Sequence, residues 1–193
     1  MESLSQDFDI EQKEIVEIIR SKERSETSGG ESFKWNRFNG DLVCRVVKEF
    51  LRKHLPKQMK IVGPNVYVDE HPTEFDLLLV RESAIPAAFT NAYSNLDVRF
   101  AIETKSHSYV RRDFPKQLLG KFTALQKQHP NVNCTFLAIR DTWNPKSVGS
   151  IGYLGELKNT LEPQYRLFCL AQSRTMELVP GQWREFVNHV AAV

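Results

Sequence analysis

The chain reads as an α/β protein with a mixed central β-sheet covered by helices. Three observations carry that expectation. Two long apolar stripes of helical period, from Asn36 to Leu55 and from Asp113 to Gln128, bracket shorter runs rich in β-branched residues. Cys134 to Ile139 (Cys-Thr-Phe-Leu-Ala-Ile) is nearly all apolar, as a strand buried on both faces has to be. The chain has 193 residues, 41% hydrophobic and 26% charged, which suits one globular domain rather than two well-filled ones.

The elements follow in order. Asp9 to Lys22 keeps Ile15, Val16, Ile18 and Ile19 at helical spacing and predicts a helix, and Ser21 to Glu31, with Gly29-Gly30, predicts a flexible connector. From Asn36 to Leu55 the residues Phe38, Leu42, Val43, Val46, Val47, Phe50, Leu51 and Leu55 form one stripe, which Pro56 ends. The period then shortens. Ile61 to Val68 (broken by Gly63-Pro64), Glu74 to Val80 and Val98 to Lys105 predict strands, with a small, polar insert over residues 82–96. Phe114, Leu118, Leu119, Phe122 and Leu125 restore the helical period before the Cys134–Ile139 strand. A loop from Asp141 to Gly152, a short helix at Leu154–Leu161, a strand at Tyr165–Leu170 and a helix at Gln182–Val190 complete the order.

Composition narrows the function classes. Three dispersed cysteines, Cys44, Cys134 and Cys169, fit neither a disulfide framework nor a cysteine zinc site. The start is polar and acidic and no apolar run approaches the roughly 20 residues that span a bilayer, so the expected setting is cytoplasmic, with no membrane partner. The formal charge of +2 hides an uneven distribution. Residues 1–35 hold nine Asp/Glu and five Lys/Arg, whereas residues 99–127 hold seven Lys/Arg and two Asp/Glu. A basic stretch beside isolated acids suits a phosphate-handling surface as well as a solvated face.

Three polar residues stand where the patterning asks for core strand. Asp76 heads the run Phe75-Asp76-Leu77-Leu78-Leu79-Val80, and Glu103 and Lys105 end the run Phe100-Ala101-Ile102-Glu103-Thr104-Lys105. Strand residues two apart share a face at about 6.5–7 Å, so Glu103 and Lys105 project together. If the two strands are neighbours, Asp76 meets them there, and Glu74 shares its parity. Two close carboxylates in a half-buried site repel, and a divalent cation resolves that conflict. Hard Mg²⁺ takes one or two carboxylates, carbonyl oxygen, water and substrate phosphate. Asp76 and Glu103 with the Thr104 carbonyl are therefore the expected metal ligands, with Mn²⁺ as a substitute ion. Lys105 then orients water or offsets charge on phosphorus, which is a layout for phosphodiester hydrolysis. No organic cofactor is expected.

The order helix, strand, Asp strand, Glu-x-Lys strand, helix, strand resembles the PD-(D/E)XK nuclease superfamily. Glu74-Phe75-Asp76-Leu77-Leu78 is similar to its first acidic motif and Ile102-Glu103-Thr104-Lys105 to its second. The resemblance spans residues 36–140 and implies a restriction-endonuclease-like αβββαβ core. Residues 36–193 would be the nuclease domain, and residues 1–35 an acidic N-terminal helix and connector. It implies Asp76, Glu103 and Lys105 as catalytic residues of a Mg²⁺-dependent DNA endonuclease in restriction-type defence or DNA repair, working as a homodimer. It also implies accessory roles for a glutamate on the first core helix, where helical phase selects Glu49, and for Gln117 on the helix after Glu-x-Lys. His107 lies two residues past Lys105, within reach of substrate phosphate or the leaving group. Arg111, Arg112, Lys116 and Lys121 would then be phosphate contacts to DNA.

Two other classes stay open on the residues alone. One is a catalytically silent, nuclease-like domain that binds nucleic acid or protein. The other is a partner-binding α/β protein whose Asp76, Glu103 and Lys105 are an ordinary edge-strand pattern.

Overall fold

A computed structural model describes residues 2–26, 32–88, 90–107, 113–141, 153–161, 164–172 and 177–192. Its elements run α1 (Glu2–Glu26), α2 (Ser32–Leu51), β1 (Met59–Val62), β2 (Tyr67–Val68), β3 (Leu77–Arg81), β4 (Ala92–Tyr93) and β5 (Val98–His107). They continue with α3 (Phe114–Gln128), β6 (Asn133–Arg140), α4 (Tyr153–Leu161), β7 (Arg166–Ala171) and α5 (Gln182–Ala191). The expected loop over residues 142–152 lies outside the described residues.

Five strands form a mixed sheet in the order β1-β3-β5-β6-β7. The β1–β3 and β3–β5 pairs are antiparallel, and β5–β6 and β6–β7 are parallel. Parallel neighbours need a crossover, and α3 and α4 supply the two. Both crossovers step the same way across the sheet, so right-handed connection puts both helices on one face. There Phe114, Leu118, Phe122 and Leu125 of α3 and Leu157 and Leu161 of α4 share a core with Leu78, Ala101 and Phe136. On the other face α1, α2 and α5 cover Leu77, Leu79, Phe100, Ile102 and Leu137. Strand alternation thus feeds two separate cores, and β6 is buried along six consecutive positions, as its apolar sequence requires.

α2 starts and ends about four residues earlier than its apolar stripe suggests. The backbone after Leu51 tightens into i→i−3 turns, Lys53 to Phe50 and His54 to Leu51, ahead of Pro56. Proline disfavours helical geometry in the residue before it, so Leu55 packs from a turn rather than from a helix. The insert at 82–96 contains β4, which pairs in parallel with β2 as a separate two-stranded sheet.

The acidic front of the chain packs into the body of the fold. Residue 35 lies inside α2, and Ile15, Val16 and Ile19 of α1 are buried in the same core as α2 and α5. Ile18 lies off that face and is exposed. Gln12, also buried, donates from Nε2 to the carbonyls of Leu170 and Val179, both at 2.8 Å, and its Oε1 accepts from the Trp183 N–H at 3.0 Å. Its neighbour Glu11 accepts from Trp183 Nε1 at 2.8 Å and contacts His54 Nε2 at 2.7 Å. Burial alone would raise the Glu11 pKa, but the hydrogen bonds from Trp183 and His54 and the charges of His54 and Lys53 outweigh it and lower it. A carboxyl lowered in the folded state adds stability that is present above its unfolded value, near 4.5, and is lost as pH falls through the folded value. Glu11→Gln should therefore flatten the acid limb of stability, measured by urea unfolding at a series of pH values between about 6 and 3.

Candidate active site

The site forms where β3 stops pairing with β5. The β3–β5 register aligns Leu77 with Ile102 and Leu78 with Ala101, and one further step would set Asp76 opposite Glu103. Phe75 instead exchanges both backbone hydrogen bonds with Val66, its N–H donating at 2.7 Å and its carbonyl accepting at 3.1 Å. The Thr104 N–H thereby loses a ladder carbonyl, and Asp76 Oδ2 accepts from it at 2.8 Å. This change of partner turns a would-be strand residue into a half-buried carboxylate beside β5.

Asp76, Glu103 and Lys105 come together there. Lys105 Nζ lies 2.9 Å from Asp76 Oδ2 and 3.1 Å from Glu103 Oε2. Glu103 is buried, with 6% of its side chain exposed, on the α3 face of β5. Burial alone would lower the Lys105 pKa, yet the charges of Glu103 and Asp76 and their hydrogen bonds drive it above the usual lysine value. Lys105 is thus a fixed cation here and suits charge stabilisation better than proton abstraction.

Thr104 faces the opposite side, as strand parity requires. Its Oγ1 lies 3.5 Å from Asp76 Oδ2 and 3.4 Å from Cys44 Sγ of α2. Burial, followed by the charge of Asp76, pushes the Cys44 thiol up to about 12, so it remains a neutral packing group. Because a strand residue's N–H and C=O point to the same side, the Thr104 carbonyl lies on the β3 side with Asp76.

Two site residues escaped sequence reasoning in this role. Lys121 of α3 pairs with Glu103 Oε1 instead of facing solvent as an outer phosphate contact, and its Nζ lies 4.4 Å over the Phe75 ring. A signal for it existed. Leu118, Lys121, Phe122 and Leu125 follow the i, i+3, i+4, i+7 pattern, so Lys121 is a charge on the core face of its helix. Cys44 is the other, and it is α2's contribution at the site.

The remaining candidates lie elsewhere. Glu49 is exposed and pairs with Arg52 at 2.9 Å on the outer face of α2, so it does not join the acids. Glu74 is exposed and accepts from Tyr67 Oη at 3.1 Å. Gln117 is exposed, bonded to Asp113 one turn earlier, because it lies one position off the buried stripe of α3. Lys116 is exposed on the same helix. His107 ends β5 with its backbone paired to Arg140. Arg111 and Arg112 lie outside the described residues.

The donor set fits a hard divalent ion. It offers two carboxylates and a carbonyl, all oxygen donors. Among the described residues no three His, Cys, Asp or Glu side chains group closely enough to hold a metal by themselves. An ion here would draw the rest of its shell from water and substrate oxygen, as Mg²⁺ sites usually do. No helix among the described residues is long and apolar enough to cross a membrane.

The mixed sheet, the two helical layers and the interrupted β3–β5 ladder define a restriction-endonuclease-like fold. No protein-family model and no curated protein matches the chain. Solved structures that share its fold include two of NucC. NucC of E. coli MS115-1 in its cAAA-bound form aligns with a TM-score of 0.57 at 15% identity, over 81% of this chain and 69% of that one. NucC of P. aeruginosa ATCC27853, also cAAA-bound, aligns with a TM-score of 0.55 at 13% identity, over 81% and 70%.

Proposed function

We propose that the chain is a Mg²⁺-dependent DNA endonuclease that hydrolyses phosphodiester bonds. The observation that carries this reading is the meeting of Asp76, Glu103 and Lys105 at the end of the β3–β5 ladder. A solvated edge-strand pattern would not bury Glu103 or hold Lys105 between two acids. Asp76 and Glu103 with the Thr104 carbonyl would hold Mg²⁺, or Mn²⁺ in its place, and the bound ion supplies Lewis acidity toward phosphate and water. The other roles belong to the chain. Lys105 faces the charge that develops on phosphorus, already positioned by two carboxylates. The Thr104 N–H and hydroxyl hold Asp76, and Cys44 packs behind Thr104.

One such site cuts one strand at a time, so a homodimer is the simplest arrangement for cutting both. Lys116 on the exposed side of α3, with Arg111 and Arg112 just before that helix in sequence, would contact DNA phosphates. Defence of the restriction type is the favoured setting, since the fold is restriction-endonuclease-like and both NucC structures share it.

The test is cleavage of plasmid, linear and branched DNA with Mg²⁺, with Mn²⁺ and with chelator, for wild type and Lys105→Ala. Metal-dependent cleavage that Lys105→Ala lowers on the order of 10²–10³-fold is expected. Salt-sensitive DNA binding with no cleavage under any metal would instead indicate a silent binding domain.

A further inference from the structure

Glu103 presents one carboxylate oxygen to Lys105 and the other to Lys121, while Asp76 Oδ2 also bonds Lys105. Two acids thus face two ammonium groups, and the cluster is already neutral without any metal. A divalent cation entering it meets engaged carboxylates and adds two charges that nothing in the cluster offsets. Something has to give way, and the two lysines differ in freedom. Lys105 sits on the same strand as Glu103, two residues away, and bonds both acids. Lys121 arrives from α3 on a flexible four-carbon stem and pairs with Glu103. The Phe75 ring beneath its ammonium attracts a cation whether or not Glu103 is bound to it. By side-chain exposure Lys121 (17%) lies between Glu103 (6%) and Lys105 (28%), so its freedom follows from attachment: one carboxylate holds Lys121, and two hold Lys105.

We propose that Lys121 is an exchangeable counter-ion that couples metal binding to nucleic-acid binding. Without DNA it occupies the Glu103 oxygen that a metal needs. When DNA arrives, a strand phosphate receives the ammonium and Glu103 is released to the ion. Each event therefore favours the other, and the site loads fully only when metal and phosphate are both present. This rests on the nuclease reading and assigns Lys121 a positioning role acting through Glu103.

The test is calorimetric titration of Mn²⁺ into DNA-free wild type, Lys121→Met, Lys121→Arg and Glu103→Gln, then repeated with a short phosphorothioate duplex that keeps the backbone charge. Lys121→Met, which keeps an apolar stem beside Phe75, should bind Mn²⁺ about tenfold more tightly than wild type without DNA. Lys121→Arg, which keeps the charge, should stay within about threefold of wild type. The duplex should tighten Mn²⁺ binding to wild type and much less to Lys121→Met. If Lys121→Met binds Mn²⁺ with unchanged or weaker affinity, Lys121 is a structural prop and the coupling is refuted, while the nuclease reading stands. If none of the four proteins binds Mn²⁺ with or without duplex, the nuclease reading falls and takes the coupling with it.

Discussion

Replacing Glu103 by glutamine should abolish metal-dependent DNA cleavage while the protein stays folded. The carboxylate supplies negative charge for a hard cation, and an amide of the same shape supplies a weak neutral oxygen. A metal contributes several kcal/mol of charge stabilisation, and each 1.4 kcal/mol is tenfold in rate, so the loss should be on the order of 10³-fold or more. Folding should hold, because the glutamine Oε1 can still accept from one lysine and Lys105 keeps Asp76 at 2.9 Å. Lys121 keeps the Phe75 ring beneath its ammonium. The measurement is the rate of supercoiled-plasmid nicking beside a thermal unfolding curve for each protein. Cleavage by Glu103→Gln within tenfold of wild type would show that the chemistry lies elsewhere.

The second large effect is on stability. Gln12→Ala should destabilise the fold by about 1–3 kcal/mol, because it removes three hydrogen bonds and leaves the buried Trp183 N–H without its acceptor, while the carbonyls of Leu170 and Val179 keep only their backbone donors, the N–H groups of Val179 and Gln182. Lys13→Ala, one residue along the same helix, should change stability by less than about 0.5 kcal/mol. Its side chain is 65% exposed and its ion pair with Glu17 spans 4.0 Å. Urea unfolding midpoints of the two variants against wild type give the comparison directly. Equal effects would mean that α1 is held by its apolar residues alone.

Much of this was readable from the chain because it depends on periodicity. Strand parity put Glu103 and Lys105 on one face and Thr104 on the other, and the mixed sheet follows from the change between helical and strand periods. What was hidden depends on partner exchange and on competing patterns. β3 begins at Leu77 rather than Glu74 because Phe75 pairs with Val66, a contact between segments that no local pattern records. Lys121 was concealed by its company. Within a run of basic residues it resembled one more surface charge, although its helical phase set it among Leu118, Phe122 and Leu125. Glu49 shows the opposite error. Its phase at the stripe edge left two directions open, and Arg52 one turn on holds it outward. The charge balance of residues 1–35 likewise suggested a segment apart from the fold, since it averages over residues and gives no weight to three buried aliphatics and a glutamine.

That glutamine also sets a schedule. Gln12 and its partner Trp183 are separated by 171 residues, so one side of the bond leaves the ribosome long before the other exists. At roughly 5–20 residues per second, the interval is on the order of ten seconds or more. Throughout it, Ile15, Val16 and Ile19 have no α5 to cover them. α1 must wait for α5, and the sheet face it shares with α2 closes only once α5 has been made.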